Sequence, residues 1–162
     1  TVEHSKLDQV RVVETALSDG EGMVSFHQDQ LTSATGMIQD GEIPWIEKYL
    51  GQKSHLIEVR RTMLDSYCTA ESIPTLIKID VEGHEPEVLK GGSLCLRDHK
   101  PILILESFPP KQEQVVDFLT ELGYEVLDAE REKPLGPHTN NLFAWHSEGP
   151  LSEPEIRKVL ES

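Results

Sequence analysis

Hydrophobic and polar residues alternate along the chain in two periods, and these periods predict strands and helices in turn. Apolar or β-branched runs predict strands at residues 10–17, 23–27, 55–60, 75–81, 101–106, 124–127 and 141–145. Residues 112–122 place their apolar side chains at helical spacing, and Gly123 follows as a stop. Polar, irregular residues at 28–44 predict a loop, and 44–50 predict a short helix. Alternation of strands and helices favours an α/β sheet.

The centre of the chain predicts a strand–helix–strand unit. Pro86 suits the first turn of a helix between strands 75–81 and 101–106, because its missing N–H is not needed there. Gly91 and Gly92 weaken or kink that helix. Two apolar strands joined by a helix pair in parallel through a right-handed crossover.

Capping and turn residues predict the remaining boundaries. The turn signal at 18–22, "SDGEG", predicts a hairpin between the first two strands. Thr62 reads as the N-cap of a short helix, with Asp65 in its first turn. Ser152 and Glu155 predict a capping box for a last helix within 150–162.

Composition and charge narrow the class of protein. A length of 162 residues suits a single domain, and the net charge of -14 argues against nucleic acid and anionic lipid as partners. No apolar run is long enough for a membrane span, and no signal segment opens the chain. Cys68 and Cys95 have no metal-ligand spacing and read as reduced thiols of a cytoplasmic protein, with a disulfide as the less favoured alternative. No histidine pair has zinc spacing.

Acidic residues cluster where two apolar strands end. Asp80 and Glu106 end neighbouring strands, and Glu82 and His84 follow Asp80 within the next loop. Because ligands bind beyond the carboxyl ends of parallel strands, this edge is the candidate site. Glu106 directly follows four apolar residues, so it needs a partner or a role.

Simpler roles remain open for several of these residues. Asp80 has the alternative role of capping a turn or the following helix. Glu85 and Glu87 are best explained as partners of the helix dipole. His84 is interpreted either as a polar loop residue or as a residue that contacts a ligand. Asn140 and Asn141 are interpreted as a bend before the last strand.

Common cofactor motifs do not occur in the sequence. Gly20 and Gly22 form a Gly-x-Gly without a third glycine, and a strand follows where a dinucleotide site needs a helix. There is no phosphate-binding loop and no Gly-x-Ser-x-Gly nucleophile motif.

The segment "LIKIDVEGHEPEVLKGG" (76–92), followed by "PILILE" (101–106), closely resembles the signature of the FkbM-type S-adenosylmethionine-dependent methyltransferases. "VVETALSDGEGMVSFH", "VRRTMLDSY", "LGYEV" and "NLFAW" also resemble this family, in order, over about residues 10–146, although Met63 is an extra residue between Thr62 and Leu64. The resemblance implies a Rossmann-like methyltransferase sheet, mostly parallel, with an antiparallel edge and an inserted hairpin.

Roles for individual residues follow from this resemblance. It implies that Ala16, Leu17 and Ser18 lie near the adenine of S-adenosylmethionine, and that Asp80 lies near its methionine end. Glu82, His84 and Glu106 are then the catalytic candidates. Glu82 and His84 face the acceptor, and one of them takes its proton. The family implies O-methylation of a hydroxyl on a sugar or natural-product acceptor. No residue is assigned as a metal ligand. The sequence does not specify the oligomeric state.

One part of the family pattern is missing. The acidic, Gly-rich cofactor loop and the acidic end of the second strand do not occur in these residues. We therefore expect N-terminal strands upstream of Thr1, and weak or no cofactor binding by the 162 residues alone. Two other classes stay open: a Mg²⁺ enzyme using Asp80, Glu82 and Glu106, or a non-catalytic binding module.

Overall fold

The computed structural model describes residues 9–28, 36–38, 47–48, 51, 53–129, 135–136 and 138–160, except the side chains of 157, 159 and 160. Its strands form two four-stranded sheets, ordered β1-β4-β2-β3 and β5-β6-β8-β7. The strands are β1 Ala16–Leu17, β2 Gly22–Gln28, β3 Gly36–Ile38, β4 His55–Thr62, β5 Leu76–Ile79, β6 Ile102–Glu106, β7 Glu125–Asp128 and β8 Asn141–Trp145. The helices are α1 Glu85–Gly91, α2 Ser93–His99, α3 Lys111–Glu121 and α4 Glu153–Leu160, with a 3-10 turn at Leu64–Ser66.

The first sheet differs from the predicted hairpin arrangement. β1 pairs in parallel with β4, and β4 lies between β1 and β2. The turn at 18–22 therefore connects two strands that are not adjacent in the sheet. The hairpin predicted between the first two strands is therefore wrong. The strand predicted at 10–17 shortens to Ala16–Leu17, and Val12 is 64% exposed, because no described strand pairs with residues 10–15.

The loop predicted at 28–44 contains one strand, β3, which pairs with β2. Residues 29–35 and 39–46 lie outside the described part of the chain. Of the short helix predicted at 44–50, residues 47–48 are described and are helical.

The second sheet confirms the strand–helix–strand unit. β5 and β6 pair in parallel, with Ile79 opposite Leu105. β8 is antiparallel to both β6 and β7. Two of the six described pairings are parallel, so the expected mostly parallel sheet is not what the described strands form.

Apolar side chains cover both faces of β6, which explains its uninterrupted apolar run. Leu103 and Leu105 lie in the main core with side chains of α1, α2 and α3, while Ile102 packs on the opposite face with Ile156 of α4. The capping box that orients α4 is confirmed. The Glu155 carboxylate accepts hydrogen bonds from the Ser152 N–H at 2.9 Å and from its hydroxyl at 2.6 Å.

Gly91 and Gly92 separate α1 from α2, as the sequence predicts, and both are sites of close approach. A Cβ on Gly91 would lie 2.0 Å from the Ser18 carbonyl oxygen, and one on Gly92 would lie 2.7 Å from Cδ2 of Leu64. The helix break therefore also makes room for the end of β1 and for the 3-10 turn.

The short helix predicted after Thr62 forms as the 3-10 turn at Leu64–Ser66, with Asp65 in its first turn, but Thr62 is not its N-cap. The N-cap is Met63, which makes no side-chain capping bond. Thr62 is the last residue of β4, and its hydroxyl donates to Glu21. Asp65 caps a different helix: its carboxylate accepts from the N–H groups of Leu94, at 3.2 Å, and Cys95, at 2.8 Å, in the first turn of α2. Asp65 is thus a helix-start residue, as predicted, but the N–H group of Leu94 that it caps lies 29 residues further along the chain.

Cys68 and Cys95 form a disulfide, with their Cα atoms 5.7 Å apart. The interpretation of two reduced thiols is therefore wrong. Cysteine usage no longer supports a cytoplasmic location. The two cysteines meet because Asp65 holds the segment after β4 against the start of α2. Among the described helices, none has the length and apolar character to cross a membrane.

Candidate functional site

The carboxyl ends of β5 and β6 bring Asp80 and Glu106 together. Asp80 directly follows β5 and Glu106 ends β6, one position beyond the paired Ile79 and Leu105. The ammonium of Lys78 lies 2.6 Å from Asp80 Oδ2, so Asp80 forms an ion pair and does not cap α1. Burial, followed by the charge of Asp80 and a hydrogen bond with it, raises the pKa of Glu106.

Glu82 sits on a tight turn between β5 and α1. Glu82 and Gly83 have φ values of +53° and +95°, and the His84 N–H donates to the Val81 carbonyl at 3.3 Å. A positive φ is uncommon for a non-glycine residue and often marks a functional turn. Burial raises the pKa of the Glu82 carboxyl, and the charges of Asp80 and Glu106 add to that effect.

Glu85 holds this turn in place, a role that differs from the expected dipole partner. Its side chain is buried, and Oε1 accepts from the Gly83 N–H at 2.9 Å. Burial raises the pKa of Glu85, while backbone hydrogen bonds from the turn oppose that shift. A sequence signal existed, because Glu85 shares a helical face with the buried Val88 and Leu89.

His84 points toward β1. Nε2 of His84 lies 3.0 Å from Ser18 Oγ, and Nδ1 lies 3.6 Å from Glu87 Oε2. His84 is 8% exposed and Ser18 is fully buried. The site turn is therefore joined to the first sheet, since Ser18 directly follows β1 and donates its N–H to Thr62.

Sequence-predicted residues from distant parts of the chain thus meet in one region. Asp80, Glu82 and Glu106 form its acidic edge. Ser18 contacts His84 behind the turn, Leu17 packs against the main core, and Ala16 pairs with Arg61 in the first sheet. Nε2 of His84 is thus engaged with Ser18, whereas Glu82 lies on the turn at the acidic edge.

The acidic edge does not have the geometry of a metal centre. No group of three or more His, Cys, Asp or Glu side chains among the described residues is arranged to hold a metal ion. The magnesium alternative therefore gains no geometric support from this part of the chain. Burial and the charge of Asp80 raise the pKa values of two carboxyls at this edge, Glu82 and Glu106.

Gln112 bridges the loop after β6 and the loop before β8 by hydrogen bonds. Its position in the sequence did not predict this role. Its Nε2 donates to the carbonyls of Ser107, at 2.8 Å, and Thr139, at 2.7 Å. Thr139 in turn donates its hydroxyl to the buried Asp128. The loop after β6, the start of α3 and the loop before β8 are thereby held together.

A cavity of about 340 Å³ opens between α3 and these two loops. Its walls combine apolar groups of Pro109, Pro110, Val116 and Leu135 with polar groups of Gln112, Glu113 and Asp117. Small-molecule sites in proteins are typically of this size or larger.

Comparison with known proteins assigns the family. The model of the methyltransferase FkbM domain matches residues 3–126, which is most of the chain and includes β1 to β6 and α1 to α3. No curated protein and no solved structure matches the chain. The matched span contains Ala16–Ser18, the turn at 80–84 and Glu106, so the candidate site lies within the family's domain. The chain belongs to the FkbM methyltransferase domain family.

Proposed function

We propose that the protein transfers a methyl group from S-adenosylmethionine to a hydroxyl oxygen of a small-molecule or glycan acceptor. The observation that carries this proposal is the set of carboxylates Asp80, Glu82 and Glu106, gathered at the carboxyl edge of β5 and β6 in a methyltransferase domain. When bound, the cofactor supplies an electrophilic methyl group on a positively charged sulfur.

The side chains at this edge fit the charged end of that cofactor. Burial raises the pKa values of Glu82 and Glu106, and repulsion by the negative charge of Asp80 adds to both shifts. A positive charge placed among them relieves this repulsion and favours their ionised forms. Near β1, the Ser18 hydroxyl is already bonded to His84, so this part of the site offers the adenine mainly the apolar side chains of Ala16 and Leu17.

Glu82 is the best-placed candidate for the base. Its raised pKa brings the carboxyl closer to neutral pH, where a general base works most effectively. The Gly83–Glu85 hydrogen bond fixes the turn that carries it. Holding an acceptor oxygen in line with the reacting carbon supplies much of the acceleration in such a displacement.

We further propose that residues outside these 162 complete a Rossmann-like sheet and supply the Gly-rich cofactor loop. In support, β1 and β5 each end a sheet, and no described strand pairs with the outer edge of β5. An unpaired strand edge is a template for another strand.

Calorimetric titration tests the cofactor proposal. S-adenosylmethionine and S-adenosylhomocysteine differ in charge at sulfur, so they probe the acidic edge directly. The titrations use both the 162-residue chain and a longer chain that includes the proposed additional residues. Acidification from about pH 8 to about pH 5 protonates Glu82 and Glu106. We therefore expect the affinity for S-adenosylmethionine to fall more than the affinity for S-adenosylhomocysteine.

The matched variants are Asp80→Asn and Asp98→Asn. Both aspartates pair with a lysine or arginine nearby in sequence, but Asp98 lies on α2, away from the site. Asp80→Asn should weaken binding of the positive form, and Asp98→Asn should not. Equal affinity of the parent and Asp80→Asn for both ligands would contradict the proposed role of Asp80.

A further inference from the structure

We propose that the cavity beside α3 seats the methyl acceptor, and that it selects an uncharged or amino-bearing hydroxylated ring over an anionic one. The link to methyl transfer rests on the function proposed above. The binding preference itself follows from the cavity and needs no cofactor.

The cavity lies at the same edge as the carboxylates. Its loop at 107–110 directly follows Glu106, and Leu135 precedes β8, which is antiparallel to β6 and so enters the sheet at that edge. At the start of α3, Nζ of Lys111 lies 3.8 Å from the point where a Cβ on Gly83 would sit. The helix that forms one wall of the cavity therefore brings its first residue, Lys111, close to the turn that carries Glu82.

The cavity walls suit a ring with one apolar face and several hydroxyl groups. Pro109, Pro110, Val116 and Leu135 present carbon atoms. Phe108, which precedes Pro109 in the chain, is 46% exposed. Glu113 and Asp117, one turn apart on α3, provide carboxylate oxygens that accept hydrogen bonds from hydroxyl or ammonium groups.

Charge provides the selectivity. The only ionisable side chains that line the described cavity are Glu113 and Asp117, and the whole chain carries -14. Lys111 is not a wall residue, and its charge acts on the buried Glu85. An acceptor bearing a carboxylate or phosphate would meet the like charges of Glu113 and Asp117, and the described wall residues include no cation, which disfavours its binding.

Nuclear magnetic resonance titration of the isotope-labelled protein, without cofactor, tests this inference. The probes are a methyl glucoside, a methyl glucosaminide and a methyl glucuronide, which share a ring and differ in charge. We expect the amide signals of Val116, Leu135 and their neighbours to shift with the first two probes, and to shift at least tenfold less with the glucuronide at the same concentration, which corresponds to about 1.4 kcal/mol.

Two variants make the test specific. Val116→Trp fills the cavity and should abolish the shifts from all three probes. Glu113→Gln combined with Asp117→Asn changes only exposed side chains, so it should leave the fold intact and allow the glucuronide to bind. Glu121→Gln is the matched control, because Glu121 is an exposed acid at the other end of α3, outside the cavity wall.

The inference is overturned if the three probes shift the cavity signals equally, if they shift signals elsewhere, or if none shifts them. Each of these results leaves the calorimetric test of S-adenosylmethionine binding unaffected. Failure of the acceptor cavity can therefore be distinguished from failure of the proposed function.

Discussion

The hydroxyl of Ser18 lies 3.0 Å from Nε2 of His84, 66 positions later in the chain. This buried bond joins the end of β1 in the first sheet to the turn after β5 in the second. The Ser18 N–H donates to Thr62, and the Ser18 carbonyl lies against Gly91 of α1. Ser18 therefore fixes the distance between the two groups of candidate site residues.

We predict that Ser18→Ala destabilises the protein by about 1–3 kcal/mol, which is the cost of leaving the other partner of a buried hydrogen bond unsatisfied. Urea unfolding measures the change. Combination with His84→Gln in a double-mutant cycle should show non-additivity, because both substitutions remove the same bond.

Ser25→Ala is the matched control for that prediction. The Ser25 hydroxyl donates to Glu58 in an exposed pair, so its loss should change stability by less than about 0.5 kcal/mol. If Ser18→Ala lowered the free energy of unfolding no more than Ser25→Ala does, the hydrogen bond between the two sheets would not contribute to stability.

Gly91→Ala should destabilise the protein, although alanine is normally the better helix former. The added Cβ would come within 2.0 Å of the Ser18 carbonyl oxygen, so α1 or the end of β1 must move. We expect a loss of about 1–3 kcal/mol by thermal or urea unfolding. Gly136→Ala is the control, because a Cβ there meets no atom of the described residues within 4 Å. Equal effects of the two substitutions would show that the close approach does not exist.

Glu106→Gln should increase stability at neutral pH. Burial and Asp80 raise the pKa of Glu106, so the folded protein holds this proton more tightly than the unfolded chain does. The contribution of Glu106 to stability therefore falls as pH rises from its ordinary value of 4.5 through the raised pKa. The advantage of the variant should shrink on acidification and vanish below that ordinary value.

Unfolding measured as a function of pH checks the sign. Glu148→Gln is the comparison, because a hydrogen bond from Lys100 lowers the pKa of this exposed carboxyl. Its substitution should give no gain at neutral pH. A Glu106→Gln protein that is less stable than the parent at neutral pH would mean that the ionised carboxylate is a favourable structural group.

Reduction of the disulfide should lower stability by about 3–4 kcal/mol, from the loop closed over a separation of 27 residues. That loop contains β5, the turn at 80–84 and α1, so Asp80, Glu82 and His84 lie within the covalent ring, while Glu106 and Ser18 lie outside it. Unfolding with and without reductant measures the loss. The Cys68→Ser, Cys95→Ser protein should not respond to reductant. A mass spectrum showing two thiols in the purified, non-reduced protein would contradict the bond.

Local patterns predicted the elements whose determinants are close in sequence. The apolar run of β6, the helical spacing in α3 and the Ser152–Glu155 cap all appear as expected. The parallel pairing of β5 with β6 followed from the helix between them, and it correctly placed Asp80 beside Glu106. The motifs at 76–92 and 101–106 also identified the family, which the match over residues 3–126 confirms.

Tertiary structure decided which local elements became partners. A β-branched run predicted a strand at 10–17, but only Ala16 and Leu17 pair, since the remaining valines have no described neighbour. A turn signal predicted a hairpin, but β4 inserts between β1 and β2. Asp65 is a cap, but for a helix elsewhere in the chain.

The same division holds within the site. The sequence by itself determined that carboxylates and a histidine follow β5, because strand ends and turn residues are local features. Only the fold decided that His84 turns to Ser18, that Glu85 is buried to hold the turn, and that Cys68 meets Cys95. Hydrogen bonds, burial and disulfides depend on which distant segments share space, and that is set by packing of the whole core rather than by any short stretch of chain.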